Sequence, residues 1–237
     1  MINNPHEVFH KILSSKENIR IKLLGDSITH GLGGVGFEQD GEPICAGYAR
    51  NPNGYCWANS FTRFMKERYG ATVVNNACCG ADIQFLIEYF DVLVDDEDDI
   101  IICDIGSNNC QFYCELGEKP TREEHGTNFY GCIKKLYEMI CARGKKVIFI
   151  ADVPMCAFRD VDGPTWWQVL HMSDINLIYK KAAENLGFPL FSLYDRFLEY
   201  CEENKIELDE LYWDGLHPND RGYDVMFDYI VKDLHLN

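Results

Sequence analysis

Apolar positions along the chain fall into short unbroken runs that alternate with longer stretches of helical spacing. Residues 19–24 form the first strand-like run, and residues 57–69 place Trp57, Phe61, Phe64 and Met65 on one side of a helix. Residues 72–76 predict a second strand, and 83–94 a helix. Residues 100–105 are almost wholly apolar and end at Gly106, as expected of a strand covered on both faces. Residues 121–143 predict a helix stopped by Gly144, with Phe129, Ile133, Leu136, Tyr137 and Ile140 on one side. A fourth strand (147–151), a helix within 165–186 ending at Gly187, a fifth strand (188–193) and a last helix after Pro218, near 220–234, complete the pattern.

Strands that alternate with helices imply right-handed βαβ units. The expected fold is therefore α/β, a three-layer α/β/α sandwich. Its five-stranded parallel sheet should have the flavodoxin-like order 2-1-3-4-5, with residues 1–237 as a single domain. Ligands in such sheets bind beyond the carboxyl ends of the strands. For the first three strands those ends are Gly25-Asp26-Ser27, the run from Asn75 to Gly80, and Gly106-Ser107-Asn108-Asn109.

Composition narrows the picture. A formal net charge of -16 opposes nucleic acid and anionic membrane surfaces as partners. The acidic run Asp95-Asp96-Glu97-Asp98-Asp99 reads as a solvated loop before a strand. No stretch approaches the roughly 20 apolar residues of a membrane span, and the N-terminal stretch lacks the pattern of a signal peptide. Eleven cysteines, an odd number without a CxxC pair, point to a reducing cytosol and cytoplasmic location rather than to disulfides or zinc. No metal and no cofactor are expected.

Ser27 stands just past the first strand, at a turn that Gly25 permits. A serine hydroxyl is a weak nucleophile until a base takes its proton. The run Asp214-Gly215-Leu216-His217 supplies one: the carboxylate three residues earlier can hold one imidazole nitrogen while the other faces the serine. Acyl transfer also needs oxyanion donors. Candidates are the N–H groups of Ser27 and Gly80 and the side-chain amide of Asn108.

In these four segments the sequence resembles the SGNH (GDSL-like) hydrolase superfamily. Its blocks are matched by Gly25-Asp26-Ser27-Ile28, by Asn75-Asn76-Ala77-Cys78-Cys79-Gly80, by Gly106-Ser107-Asn108-Asn109 and by Asp214-Gly215-Leu216-His217, in order. The resemblance implies Ser27 as nucleophile, His217 as base, Asp214 as its orienter, and Ser27, Gly80 and Asn108 as the oxyanion hole. Two letters depart from the family pattern: Ile28 replaces Leu, and Asn109 stands where the third block usually ends in Asp.

Gly31, Gly33 and Gly36 also spell G-x-G-x-x-G, the dinucleotide fingerprint. That fingerprint needs a helix to start at its last glycine. The Gly- and Pro-containing stretch after Gly36 forbids one, so a nucleotide site is not expected. Residues 31–55 then form a long loop beside the nucleophile, and Asp26, Tyr48, Arg50 and Asn109 are its neighbourhood's candidates for substrate binding. Phe37, Asn51, Asn53 and Tyr55 belong to the same loop, which is read equally as a pocket cover and as a packed insertion. Trp166-Trp167, His30 and His171 read as structural.

The expected function is a serine esterase acting through an acyl-enzyme on short acyl groups, acetyl foremost, carried by a neutral small molecule or carbohydrate. The alternatives are a lysophospholipase or thioesterase for longer chains, and a non-catalytic binding module on the same fold. Oligomeric state is not legible.

Overall fold

The computed structural model describes residues 4–39, 42–43, 51–113, 118–156 and 166–236. Five strands form one parallel sheet: β1 (Arg20–Gly25), β2 (Thr72–Asn75), β3 (Ile100–Asp104), β4 (Lys146–Ala151) and β5 (Leu190–Ser192). Their order is β2-β1-β3-β4-β5, as expected from the sequence. Helices cover both faces, and the strand pattern explains why. Ile21 and Leu23 of β1, Ile100 and Ile102 of β3, and Ile148 and Ile150 of β4 point to one face. There they meet α1 (Pro5–Leu13), α3 (Trp57–Tyr69), α8 (Leu193–Asn204) and α9 (Asp220–Asp233). Leu24, Ile101, Cys103, Val147 and Phe149 point to the other. They pack on α4 (Ile83–Glu88), α5 (Phe90–Leu93), α6 (Arg122–Ala142) and α7 (Met172–Leu186). One further helix, α2, is a single turn, Ser27–His30. Residues of alternate parity serve opposite cores, the period of two that a strand imposes.

Several boundaries differ from the sequence expectation. The helix expected over 83–94 is two short helices, α4 and α5, that meet at Tyr89. Residues 166–168 are a strand, not part of a helix. They pair antiparallel with Gln111–Tyr113, a partner remote in sequence that local spacing could not reveal. α1 and α8 carry no expectation from the pattern, yet both bury an apolar stripe, Phe9 in one and Phe197 in the other.

The acidic loop does precede β3, but it is not simply solvated. Lys22 of β1 is fully buried, and its ammonium lies 2.8 Å from Asp95 and 3.4 Å from Asp98. Arg20 reaches the same two carboxylates at 3.0 Å. A buried ammonium without partners would be strongly unfavourable, so this loop is a clamp at the amino end of the sheet.

Candidate active site

At the carboxyl end of β1 the chain turns at Gly25-Asp26 into the one-turn helix α2. Asp26 is its N-cap, with Oδ1 accepting the Ile28 N–H at 2.9 Å. This puts Ser27 at the first helical position, buried but for 7% of its surface. Gly31 ends the turn in the left-handed region at φ 119°. The glycine-rich run therefore closes a helix rather than opening one, the opposite of the dinucleotide arrangement.

The same run explains how a residue 190 positions away reaches Ser27. A Cβ on Gly33 would lie 2.5 Å from the Pro218 carbonyl oxygen and 3.0 Å from Cβ of His217. Only glycine lets the two loops approach so closely. From α9, Tyr223 donates its hydroxyl to the carbonyls of Ile28 (3.1 Å) and Leu32 (2.6 Å), fixing the turn from behind.

His217 stands with Nε2 2.9 Å from Oγ of Ser27 and Nδ1 2.8 Å from Oδ2 of Asp214. Oδ1 of Asp214 accepts the N–H groups of Leu216 (2.9 Å) and His217 (2.7 Å). Burial alone would raise the Asp214 pKa. The hydrogen bonds from the His217 side chain and from these backbone N–H groups outweigh it, and hold the carboxyl well below the usual carboxylate range. An ionised Asp214 keeps the proton on Nδ1, which leaves Nε2 as the acceptor facing the serine hydroxyl.

Three loop segments meet beside this array, tied by hydrogen bonds. Cys78 N–H donates to the Gly25 carbonyl at 3.0 Å, and the Asn75 amide to the Thr29 carbonyl at 2.9 Å. Gly80, at φ 76°, is exposed, and a Cβ on it would touch no protein atom. Among the described residues its N–H and that of Ser27 have no hydrogen-bond acceptor. Asn108 lies in a short 3₁₀ turn, Ser107–Cys110, directly after β3. Its side-chain amide gives one N–H to the Ala81 carbonyl at 2.8 Å, beside Gly80, and keeps the second. Ser107, which the sequence reading did not single out, donates its hydroxyl to Oδ2 of Asp26 at 2.5 Å. That bond joins the Ser27 turn to the Asn108 turn. Its neighbour in the third block was the available signal.

Asp26 does not stand where substrate binding would need it, and Asn109 is mostly buried in the wall of a groove beside Gly80 and Asn108. Asp26 is fully buried, with both oxygens engaged. Asn109 is 2% exposed, accepts the Ile83 N–H at 3.1 Å and donates to Gln84 at 2.9 Å, so it anchors α4. Asp26 is corrected from a ligand contact to a structural tie, because burial depends on tertiary packing, whereas Asn109 both anchors α4 and borders that groove. Tyr48 and Arg50 lie outside the described residues. Around them, Phe37 is buried and Asn51 donates to the Gly36 carbonyl at 2.9 Å, so the described ends of the loop pack into the body. His30 is buried edge-on to Phe37, and His171 is the N-cap residue of α7.

Asp104 and Asp152, at the ends of β3 and β4, complete a buried acidic patch under the site. Oδ2 of Asp104 accepts the Thr29 hydroxyl at 2.8 Å and Oδ1 of Asp152 accepts the Val153 N–H at 2.8 Å. The remaining oxygen of each is buried without a partner among the described residues. Burial first, then the neighbouring carboxyls, pushes Asp104 up to about 8 and Asp152 well above its ordinary value. Among the described residues no three His, Cys, Asp or Glu side chains converge as metal ligands.

A parallel α/β/α sandwich with a Ser-His-Asp array at its carboxyl edge has the architecture of a serine hydrolase. The sequence model of the GDSL-like Lipase/Acylhydrolase family matches residues 23–225. The chain belongs to that family and is an ester hydrolase. Among solved structures it is similar to Axe2, an acetylxylan esterase from Geobacillus stearothermophilus, at TM-score 0.65 and 16% identity, covering 93% of this chain and 96% of that one. A lipase/acylhydrolase from Enterococcus faecalis gives TM-score 0.65 at 19% identity, over 91% and 95% of the two chains. An alpha/beta hydrolase from the metagenome of Lake Arreo, Spain, gives 0.67 at 18%, over 93% and 97%. At these identities the likeness is one of fold. Comparison with curated protein sequences gives no match. No helix among the described residues is long and apolar enough to cross a membrane.

Proposed function

We propose that the protein is a serine esterase that removes short acyl groups, acetyl foremost, from a neutral polar carrier such as a carbohydrate, with residues 1–237 acting as one domain. The observation that carries the reading is the unbroken contact chain from Ser27 Oγ through His217 to Asp214. Nε2 of His217 takes the proton as Oγ of Ser27 attacks the ester carbonyl. Asp214 holds the ring and stabilises the imidazolium that results. The oxyanion receives the N–H groups of Ser27 and Gly80 and the second amide N–H of Asn108. His217 then returns its proton to the departing alcohol, leaving an acyl-enzyme. Water, activated by the same imidazole, releases the acid and regenerates Ser27. No step calls for a metal or cofactor.

Support for the substrate class is the strong negative charge, which disfavours anionic carriers, and the fold shared with an acetylxylan esterase. Ser27→Ala is expected to abolish turnover, and a fluorophosphonate probe to label the native protein at Ser27. Labelling of another serine, with Ser27→Ala still active, would refute the assignment and leave the binding-module reading standing for this array. In a p-nitrophenyl ester series, kcat/KM should decline from acetyl to longer chains. A true acyl tunnel would instead gain about 0.8 kcal/mol per buried CH₂, and a steady rise would transfer the case to the lysophospholipase or thioesterase reading.

A further inference from the structure

A groove of about 430 Å³ has Gly80, Asn108 and Asn109 in its wall. That volume is within the usual range for a small-molecule cleft. Asp82 and Gln84 come from the start of α4, His125 and Asn128 from the first two turns of α6, and Gln111 and Phe112 from the chain just after the Asn108 turn.

These side chains hold more hydrogen-bonding capacity than the protein uses. Asp82 caps α4 through Oδ1, donated to by the Phe85 N–H at 2.8 Å, which leaves Oδ2. Gln84 accepts from Asn109 on Oε1 and keeps its two Nε2 hydrogens. Asn128 receives only the Cys132 thiol, at 3.9 Å, and the Gln111 side-chain amide makes no hydrogen bond among the described residues. His125 faces the Asn109 carbonyl with Nε2 at 2.8 Å and stands edge-on to Phe112 at 5.7 Å, giving the groove one apolar wall. Amide donors and acceptors around an aromatic face suit a ring of hydroxyls, each of which both donates and accepts, with C–H groups for the aromatic. An alkyl chain laid there would strip water from these amides and return no hydrogen bonds.

We infer that this groove is the carrier subsite: it holds the alcohol portion of the ester, a neutral polyhydroxylated ring, and Gln111 and Asn128 determine specificity for it. The inference rests on the esterase reading above. With the ester carbonyl between Ser27 and the donors at Gly80 and Asn108, an acetyl group needs little room. The larger alcohol is the part that fills a groove with those donors in its wall. Asp82 within the groove turns away anionic carriers.

The test compares native protein with Gln111→Leu and Asn128→Leu on two esters, p-nitrophenyl acetate and a monoacetylated methyl pyranoside. Asn128 is exposed on α6, so that variant retains its fold if the other does not. Each change should lower kcat/KM on the pyranoside by about tenfold, mainly through KM, and leave p-nitrophenyl acetate within about twofold. Equal losses on both esters would overturn the inference, as would unchanged pyranoside hydrolysis or variant losses that grow with acyl length. Native protein active on p-nitrophenyl acetate but inert on the pyranoside would overturn the groove's role and spare the esterase. Native protein inert on both would remove the esterase reading and the groove's role with it.

Discussion

Asp104 shows at a single residue what burying a carboxyl beneath the site does. Its carboxyl is closed from solvent, bonded through one oxygen to Thr29 and flanked by the carboxyls of Asp26 and Asp152, with no cation facing it among the groups that shift it. The folded protein holds a proton there up to about pH 8, whereas an unfolded aspartate loses it near 3.9. Between those values the folded state binds more protons. The stability this group contributes is therefore complete below about pH 3.9 and is lost as pH rises through about 8. An amide in place of this carboxyl cannot titrate, yet its carbonyl oxygen can still accept from Thr29. Asp104→Asn should accordingly gain stability relative to the native protein as pH goes from about 5 to about 8, measured by urea unfolding at each pH. An equal difference at both values would show that Asp104 is ionised in the fold. At this scale the sequence was informative where chemistry dictates the letter. Ser27, His217 and Asp214 are the types that a nucleophile, a base and an orienter must be, and the fold brings them within hydrogen-bond distance of one another. Asp26 faces inward instead of toward a ligand because residue type does not say which way a side chain faces.

One-turn helix α2, which carries Ser27, follows a glycine that its neighbours crowd closely. A Cβ on Gly25 would lie 2.6 Å from the Asp104 carbonyl of β3 and 2.6 Å from both Cβ and Oγ1 of Thr29. Backbone on one side and a buried β-branched residue on the other leave nothing to give way cheaply. Gly25→Ala should cost about 1–3 kcal/mol or more in stability, the usual penalty of overpacking, and lower kcat by moving Ser27 off His217. An alanine variant with native melting temperature and turnover would show that the turn is soft. Elements were legible where burial is simple. The apolar run at 100–105 and the stripe of α6 gave strand and helix within a residue or two of those observed. The strand at Trp166–Gln168 was not, because its hydrogen bonds go to Gln111–Tyr113 and local spacing cannot encode such a partner. Likewise the break at Tyr89 has neither Gly nor Pro to announce it.

Charge acts at the scale of the whole molecule, and its distribution matters more than its sum. Part of the negative charge is neutralised at the amino end of the sheet, where Lys16, Arg20 and Lys22 meet Asp95, Asp98 and Asp99. The Ser27-His217 pair lies at the opposite, carboxyl end, next to the ionised Asp214 and on the same side as Asp82 of the groove. An approaching ester therefore meets a negative field that those pairs do not cancel. Neutral esters should feel little of it, and anionic ones should be slowed in proportion to how far the field extends into solvent. From about 0.01 M to about 1 M salt the Debye length contracts from roughly 30 to 3 Å, which removes the long-range part. The p-nitrophenyl ester of a dicarboxylic half-acid should thus be a poorer substrate than the neutral ester of the same length, and its kcat/KM should rise with salt while the neutral ester's stays flat. A charged ester that is preferred, or that slows as salt is added, would mean that a local cation recruits it and that the neutral-carrier reading is wrong.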